Sequence, residues 1–156
     1  MSIRRAEKKD IDDMLRLLTE VNMVHHNIRP DLFKGPATKY SREELEQKIQ
    51  VEEDPIFVFT DDDGQVLGYV FCESQEVEES PLRTHIRTLY IDDLCVYENA
   101  RGRHVGRQLY EYALSYARAN GFYNVTLHVW GGNESAQKFY ERMGMKNQYT
   151  CLEQIL

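Results

Sequence analysis

The sequence is poor in cysteine, proline and tryptophan: its 156 residues include 3 Cys, 4 Pro and 1 Trp. Cys72, Cys95 and Cys151 are odd in number and far apart, with no Cys-x-x-Cys pair. This spacing argues against a disulfide framework and against a cysteine metal site. We therefore expect reduced thiols, a cytoplasmic protein and no bound metal.

Long apolar runs are also missing. No stretch approaches the roughly 18 residues of a membrane-spanning helix. The first residues, MSIRRAEKKDID, are charged where a signal peptide needs an apolar segment. We expect a soluble protein that is not exported and has no membrane partner. The length and the 42% of hydrophobic residues predict one folded domain over residues 1–156.

Positive charge is scarce, because 19 Lys and Arg face 26 Asp and Glu, giving a net charge of −7. This charge opposes attraction to phosphate backbones, so DNA and RNA are not expected partners. The acids cluster at 52–54, 61–63 and 76–79. These clusters either steer a cationic amine toward the protein or are ordinary solvated loops.

Hydrophobic periodicity predicts the element order β-α-α-β-β-β-α-β-α-β. Strands are expected at 3–5, 56–60, 66–73, 83–96, 125–130 and 149–155, and helices at about 10–25, 41–51, 105–120 and 133–143. Ser41 and Glu44 have the spacing of a capping box at the start of the second helix. The segment 61–65 contains an Asp-Gly pair typical of a hairpin turn.

The most informative segment is Arg-Gly-Arg-His-Val-Gly-Arg at 101–107, where a strand passes into the third helix. The first turn of a helix has free N–H groups and the positive end of the helix dipole, so it binds anions. Three arginines add charge suited to a pyrophosphate. The alternative is a solvated basic turn. The glycine spacing is neither the Walker pattern nor Gly-x-Gly-x-x-Gly, which disfavours a nucleoside triphosphatase or a nicotinamide enzyme.

Two motifs resemble the signatures of the GNAT acetyltransferases. The segment 101–109 resembles the family's coenzyme A loop, Arg/Gln-x-x-Gly-x-Gly/Ala, and the segment 133–145 resembles Asn-x-x-Ala-x-x-Phe-Tyr followed by a Gly-hydrophobic pair. The opening Ile-Arg-Arg-Ala is also similar. The resemblance implies an α+β fold: a mixed, mostly antiparallel sheet flanked by about four helices. It implies that the strands at 88–96 and 124–130 separate to admit acetyl-CoA.

The same resemblance implies the cofactor contacts. The backbone that pairs with the pantetheine arm is that of Leu94, Cys95 and Val96. The backbone amides that hold the pyrophosphate are those of Arg101, Gly102, Arg103, His104, Val105, Gly106 and Arg107. Asn133 is expected to contact the cofactor arm. His104 replaces the first glycine of the family loop, and we expect it to adopt a negative φ and to act as an amide donor only.

For catalysis the resemblance points to Tyr140 as the general acid that protonates the departing thiolate, and to a strand amide near Leu94 for the oxyanion. Core packing is the alternative role of Tyr140. Asp92 is the candidate base, similar in place to an acid of spermidine/spermine acetyltransferases, with Glu73 as a rival. Adjacent residues of a strand face opposite sides, so only one of Asp92 and Asp93 is expected at the substrate unless a bulge intervenes.

The predicted function is N-acetylation of an amine, with a small cationic amine favoured and direct attack in a ternary complex. The alternative is a non-catalytic acyl-CoA-binding module on the same fold; a nucleotide-dependent enzyme is a more distant one. His25 and His26 are a poor metal pair and are expected at a surface helix end. The last strand, at 149–155, suggests a homodimer that pairs across a two-fold axis.

Overall fold

The computed structural model describes residues 1–156. The strands are β1 (Ser2–Arg5), β2 (Ile56–Thr60), β3 (Val66–Val77), β4 (Ile86–Val96) and β5 (Asn124–Leu127). The helices are α1 (Ile11–Ile28), α2 (Arg42–Lys48), α3 (Val105–Ala119) and α4 (Glu134–Arg142). No helix is both long enough and apolar enough to cross a membrane.

Local signals in the sequence explain where several elements begin. The capping box predicted at α2 is present: Ser41 Oγ accepts from the Glu44 amide at 3.1 Å, and Glu44 Oε1 accepts from the Ser41 amide at 3.2 Å. Asn133 caps α4 by accepting from the Ala136 amide at 3.2 Å. These side chains satisfy amides that would otherwise lack partners in the first turn.

The five strands form one mixed sheet in the order β1-β2-β3-β4-β5. The first four strands pair antiparallel, and β5 pairs parallel with β4. The β4–β5 pairing covers only four residue pairs, from Thr88 with Asn124 to Ile91 with Leu127. Beyond Ile91 the rest of β4 has no neighbour on that side. The predicted mixed sheet and its opening between these two strands are confirmed.

A β-bulge interrupts β4 at Asp92. Phe71 of β3 pairs with Asp93 and Cys72 pairs with Ile91, so Asp92 is the extra residue. The bulge reverses which side chains face each side of the sheet. Before it, Leu89 and Ile91 belong to the core under α3; after it, Cys95 belongs to the core under α1 and α2.

The strand predicted at 149–155 is wrong. Residues 146–156 have no strand or helix and are exposed throughout. A strand needs backbone hydrogen bonds to a neighbouring strand, and this segment makes none to β5 or to any other strand. Two side-chain contacts hold it instead: Tyr149 Oη lies 3.1 Å from His128 Nε2, and Arg29 donates to Glu153.

Candidate active site

The site is built around the opening where β4 and β5 separate. β5 ends at Leu127, three residues earlier than predicted, and β4 continues through Leu94, Cys95 and Val96 with β3 as its only partner. The Cys95 side chain is buried on the α1 side, where its Sγ lies 3.6 Å from the Leu17 carbonyl oxygen. Because this stretch of β4 has no partner on the β5 side, its backbone presents an unpaired strand edge to the opening.

The loop at 101–104 is exposed and leads directly into α3. No side chain caps the first turn of α3, so its amides remain free for a ligand. Gly102 has φ +78°, a conformation that suits glycine. A Cβ at Gly106 would lie 3.3 Å from Val96 and 3.5 Å from Phe139, so glycine permits close packing of α3 between β4 and α4.

The prediction of a negative φ for His104 is wrong. His104 has φ 60° and ψ 16°, in the left-handed region. His104 is the last residue of the turn at 101–104 and directly precedes α3. The left-handed conformation costs a residue other than glycine about 1 kcal/mol or more of conformational free energy. This cost explains why the loop pattern has glycine at the position of His104.

The three arginines of the loop region are at the surface. Arg107 pairs with Glu111 one helical turn later, at 2.8 Å, and Arg103 contacts only the Met1 sulfur, at 3.9 Å. The side chains of Arg101 and Arg103 carry no ion pair with a protein carboxylate. Their charge is therefore available to a phosphate group beside the free amides of α3.

Tyr140 lies on α4 and reaches the same opening from the α3 side. Its ring lies 6.1 Å from the Tyr110 ring and 5.0 Å from the Phe139 ring, and it packs against the core under α3. Its hydroxyl makes no hydrogen bond to the protein. Burial, and then the charge of Asp93, raise the pKa of Tyr140, so the phenol holds its proton at neutral pH.

Asp92 is the centre of a hydrogen-bonded cluster with the loop between α1 and α2. Lys39 Nζ lies 2.7 Å from Asp92 Oδ1, and the Tyr40 hydroxyl donates to Asp92 Oδ2. The Tyr40 ring is stacked on Phe71, with centroids 5.8 Å apart and planes inclined by 4°. Burial, and then the hydrogen bond to Asp92, raise the pKa of Tyr40. Both oxygens of Asp92 therefore have partners.

Asp93 faces the same side of the sheet because of the bulge. Its Oδ2 accepts from the Tyr69 hydroxyl at 2.9 Å. Burial raises the pKa of Asp93 to about 6, against the lowering effects of the Tyr69 hydrogen bond and of Lys39. A carboxyl group with this pKa is closer to the working range of a general base at neutral pH than an ordinary aspartate.

The end of α1 and the segment after β5 form a wall beside the opening. The rings of His25 and Phe33 lie 5.2 Å apart, and so do those of Phe33 and Trp130. His26 Nδ1 lies 2.6 Å from the Phe33 carbonyl oxygen. Both histidines are partly buried under the 29–40 loop, so the expected surface helix end is covered. Burial, and then Lys39, lower the pKa of His25, which is neutral at pH 7.

Sequence reasoning missed Lys39 and Tyr40 as neighbours of Asp92. They lie in an irregular loop, more than 50 residues away in the chain, and no local pattern signals the contact. Glu73, the rival base, pairs instead with Lys48 at 3.7 Å. Nowhere in the chain do three or more His, Cys, Asp or Glu side chains form a group that could hold a metal ion.

Comparisons with known proteins agree with this geometry. The BH1408 protein of Bacillus halodurans, solved as a tetramutant, is 31% identical and superimposes with a TM-score of 0.95 over 100% of both chains. The uncharacterized N-acetyltransferase MJ1207 of Methanocaldococcus jannaschii is 27% identical over 94% of this chain, which spans 61% of that protein's length.

A more distant structure shares the fold. The aminoglycoside N-acetyltransferase AAC(6')-Iy, solved in complex with CoA, is 14% identical, with a TM-score of 0.69 over 99% of this chain and 98% of that one. Residues 21–145 match the family described as Acetyltransferase (GNAT) family. That match covers most of the chain, including the loop, the bulged strand and α4. The chain therefore belongs to the GNAT acetyltransferase family.

Proposed function

We propose that the protein is a cytoplasmic N-acetyltransferase that transfers the acetyl group of acetyl-CoA to an amine in a ternary complex. The observation that carries this proposal is the unpaired edge of β4 lying next to the uncapped first turn of α3. An unpaired strand edge suits an amide-bearing arm, and free helix amides suit a diphosphate. The unpaired state of all three cysteines agrees with a reducing compartment.

The residues fit acetyl-CoA along its length. We assign the pantetheine arm to the backbone of Leu94, Cys95 and Val96. The Arg101 amide, expected to hold the diphosphate, instead donates to the Glu98 carbonyl oxygen at 3.2 Å, so we assign the diphosphate to the amides from Gly102 to Arg107. The side-chain amide nitrogen of Asn133 remains free to contact the arm, since only its oxygen caps α4. When bound, acetyl-CoA supplies an acetyl thioester whose sulfur must leave with a proton.

We assign Tyr140 as the donor of that proton. Its hydroxyl is protonated at neutral pH and has no hydrogen-bond partner in the protein, so it is free to approach a leaving sulfur. The packing of its ring against Tyr110 and Phe139 fixes the direction of the hydroxyl. Packing and catalysis are thus compatible roles for this side chain.

We assign Asp92 as the proton acceptor for the attacking amine. Its carboxylate lies on the α1 side of the sheet, opposite the side from which Tyr140 approaches. Asp93 is a second candidate, favoured by its raised pKa and by its position on the same face. The variants Asp92→Asn and Asp93→Asn distinguish the two candidates. The fall of kcat/KM at acidic pH is expected to disappear only in the variant that lacks the base.

The acceptor that we favour is a small cationic amine. Asp92, Asp93 and Glu73 place three carboxyl groups near the opening on the acceptor side, where the charge of Glu73 also acts on Tyr40. The acidic cluster at 61–63 lies elsewhere, beside the N-terminus, which Asp62 contacts. If carboxylates attract the amine, higher salt will raise its KM, and a salt-independent KM contradicts this idea.

We also propose a homodimer, formed by the segment 146–156. The outer edge of β5 has no partner, and the segment carries the exposed apolar side chains of Leu152, Ile155 and Leu156. A two-fold axis lets the segment of each copy pair with the β5 edge of the other. Such pairing satisfies backbone groups that have no partner within one chain.

Calorimetric titration with acetyl-CoA, followed by thiol release with a panel of amines, tests the proposed activity. We expect binding, and thiol release with at least one cationic amine. Binding without release by any amine favours a non-catalytic acyl-CoA-binding module. Failure to bind acetyl-CoA contradicts the proposal at its first step.

A further inference from the structure

One amine of the protein itself already lies at the proposed proton acceptor. Lys39 Nζ is 2.7 Å from Asp92 Oδ1 and 3.4 Å from the Asp92 carbonyl oxygen. The Lys39 side chain is 46% exposed, whereas that of Asp92 is 9% exposed. The lysine therefore reaches from the surface to Asp92, and its nitrogen lies within hydrogen-bond distance of the carboxylate that we assign as the base.

Other lysines near the site do not share this position. Lys48 Nζ pairs with Glu73 at 3.7 Å and lies over the Tyr40 ring, 4.5 Å from its centroid. Lys34 belongs to the same loop as Lys39, and both are exposed residues. The Lys34 side chain, however, contacts no carboxylate of the site. Lys34 is therefore a matched internal comparison for Lys39.

Lys39 and Tyr140 also lie on the two sides of one opening. Burial raises the pKa of Asp93, and the charge of Lys39 opposes this rise from the side of α1 and α2. Burial likewise dominates the raised pKa of Tyr140, and the charge of Asp93 adds to it from the other side. Both groups are thus near the same carboxyl group, at the point where β4 leaves β5.

We propose that Lys39 is an internal acceptor and that the protein acetylates its own Lys39 side chain. The inference rests on the proposed acetyltransferase activity, since it uses the same cofactor site, Asp92 and Tyr140. The Lys39 ammonium gives one proton to Asp92, which passes it to solvent, and the neutral Nζ attacks the thioester carbonyl carbon. A C–N bond forms, the C–S bond breaks, and Tyr140 protonates the departing thiolate. The nitrogen loses its second proton through Asp92 to solvent, and Tyr140 regains a proton from solvent, so one proton is released overall. The products are N-acetyl-lysine and free CoA.

Acetylation changes the acceptor side of the site. The amide of acetyl-lysine carries no charge, so the ion pair between Lys39 and Asp92 is lost. Asp92 then keeps only its contact with Tyr40 and is free to meet the ammonium group of an external amine. Self-acetylation accordingly couples the acetyl-CoA supply to the affinity for cationic acceptors.

The test is to incubate the purified protein with acetyl-CoA, without an amine, and to follow acetylation of each lysine by peptide mass spectrometry. Because Lys39 is held beside the reacting group, we expect it to be acetylated at least about tenfold faster than Lys34. The rate per molecule is expected to be independent of protein concentration. Tyr140→Phe is expected to slow the acetylation of Lys39 and to leave the acetylation rate of Lys34 unchanged. Lys39→Arg is expected to remove the acetylation signal at position 39 while retaining the positive charge.

Suppose that the protein binds acetyl-CoA and acetylates an external amine, but acetylates Lys39 and Lys34 at equal rates. That result overturns this inference and leaves the proposed function intact. Equal rates in the wild type and Tyr140→Phe also overturn the inference, because they indicate uncatalysed acetylation. Absence of acetyl-CoA binding in calorimetry overturns the proposed function instead. The two failures are therefore distinguishable.

Discussion

Asp92 and Asp93 are consecutive residues whose carboxylates lie on the same face of the sheet. The Asp92 carboxylate meets Tyr40, which is stacked on Phe71, and the Asp93 carboxylate meets Tyr69. Phe71 and Tyr69 both belong to the core under α1 and α2. The bulge brings the two acids together, so that they act on each other as well as on any amine between the loop and β4.

Asp93 is predicted to make stability depend on pH. Its folded pKa, about 6, lies above the usual 3.8, so its contribution to stability is complete below about pH 4 and is lost as the pH rises through 6. Its surroundings are the Tyr69 hydroxyl, Lys39, Asp92 and the Leu94 amide. Between about pH 5 and 7.5 the wild type is expected to lose about 1 kcal/mol more unfolding free energy than Asp93→Asn.

Urea unfolding of both proteins at the two pH values measures this difference. Asp12→Asn is a control, since Asp12 is an exposed acid on α1. A pH dependence that is the same in Asp93→Asn and in the wild type contradicts the prediction.

Tyr140→Phe is expected to lower kcat by about 10²-fold, because the leaving thiolate loses its proton donor. The ring is retained, so the dissociation constant for acetyl-CoA is expected to change little. Steady-state kinetics with calorimetry separate the two effects. Tyr112→Phe, on the exposed side of α3, is the matched control. Near-normal turnover of Tyr140→Phe removes this residue from the role of acid.

Arg103→Glu is expected to raise the dissociation constant for acetyl-CoA by about tenfold, because a charge-assisted contact becomes a repulsive one. Arg42→Glu serves as the control, since Arg42 lies at the start of α2 and pairs with Asp12. Calorimetry at low and high salt is the measurement. Unchanged affinity means that the backbone amides hold the diphosphate without help from this side chain.

Relative to Arg103→Gly, His104→Gly is expected to have an unfolding free energy about 1 kcal/mol higher, because glycine adopts a positive φ without a steric penalty. The neighbouring substitution Arg103→Gly corrects for the greater freedom of glycine in the unfolded chain, since Arg103 has no positive φ. Thermal and urea unfolding compare the three proteins. A loss of stability in His104→Gly larger than that in Arg103→Gly refutes the assignment of strain to His104.

Removal of residues 147–156 is expected to convert a dimer into a monomer, which sedimentation velocity measures directly. The contact of Glu153 with Arg29 lies within one chain, so Glu153→Gln is the control that removes this contact and keeps the segment. We expect the control to remain dimeric. A monomeric wild type, or a truncated protein of unchanged assembly, contradicts the proposed pairing.

Much of the fold follows from local signals. The capping box at Ser41, the glycine that follows α3 and the continuous β-favouring run of β2 depend only on near neighbours, and each of these three elements begins or ends within a few residues of its predicted bounds. The loop at 101–107 was predictable for the same reason. Its distinctive residues are consecutive in the chain.

The parts that failed depend on distant contacts. The bulge at Asp92 is set by pairing with β3, and the sequence of β4 alone does not specify it. The Lys39–Asp92 pair joins residues 53 positions apart. The 149–155 segment has the composition of a strand, but it makes no backbone hydrogen bonds to the free edge of β5, and composition alone does not specify such pairing. The positive φ of His104 follows from the turn required before α3, which outweighed the preference of a non-glycine residue.

The short junction between β4 and β5 has a consequence for dynamics. Four residue pairs connect β5 to a sheet whose β3–β4 pairing is ten pairs long. In the absence of a ligand, the β5–α4 half is expected to open locally and to exchange its amide hydrogens before β2 and β3 do. A cofactor bound between the strands bridges both sides of this junction and slows that exchange. With acetyl-CoA bound as we propose, the donor fills the gap in the sheet, and its concentration is expected to set how often the β5–α4 unit opens.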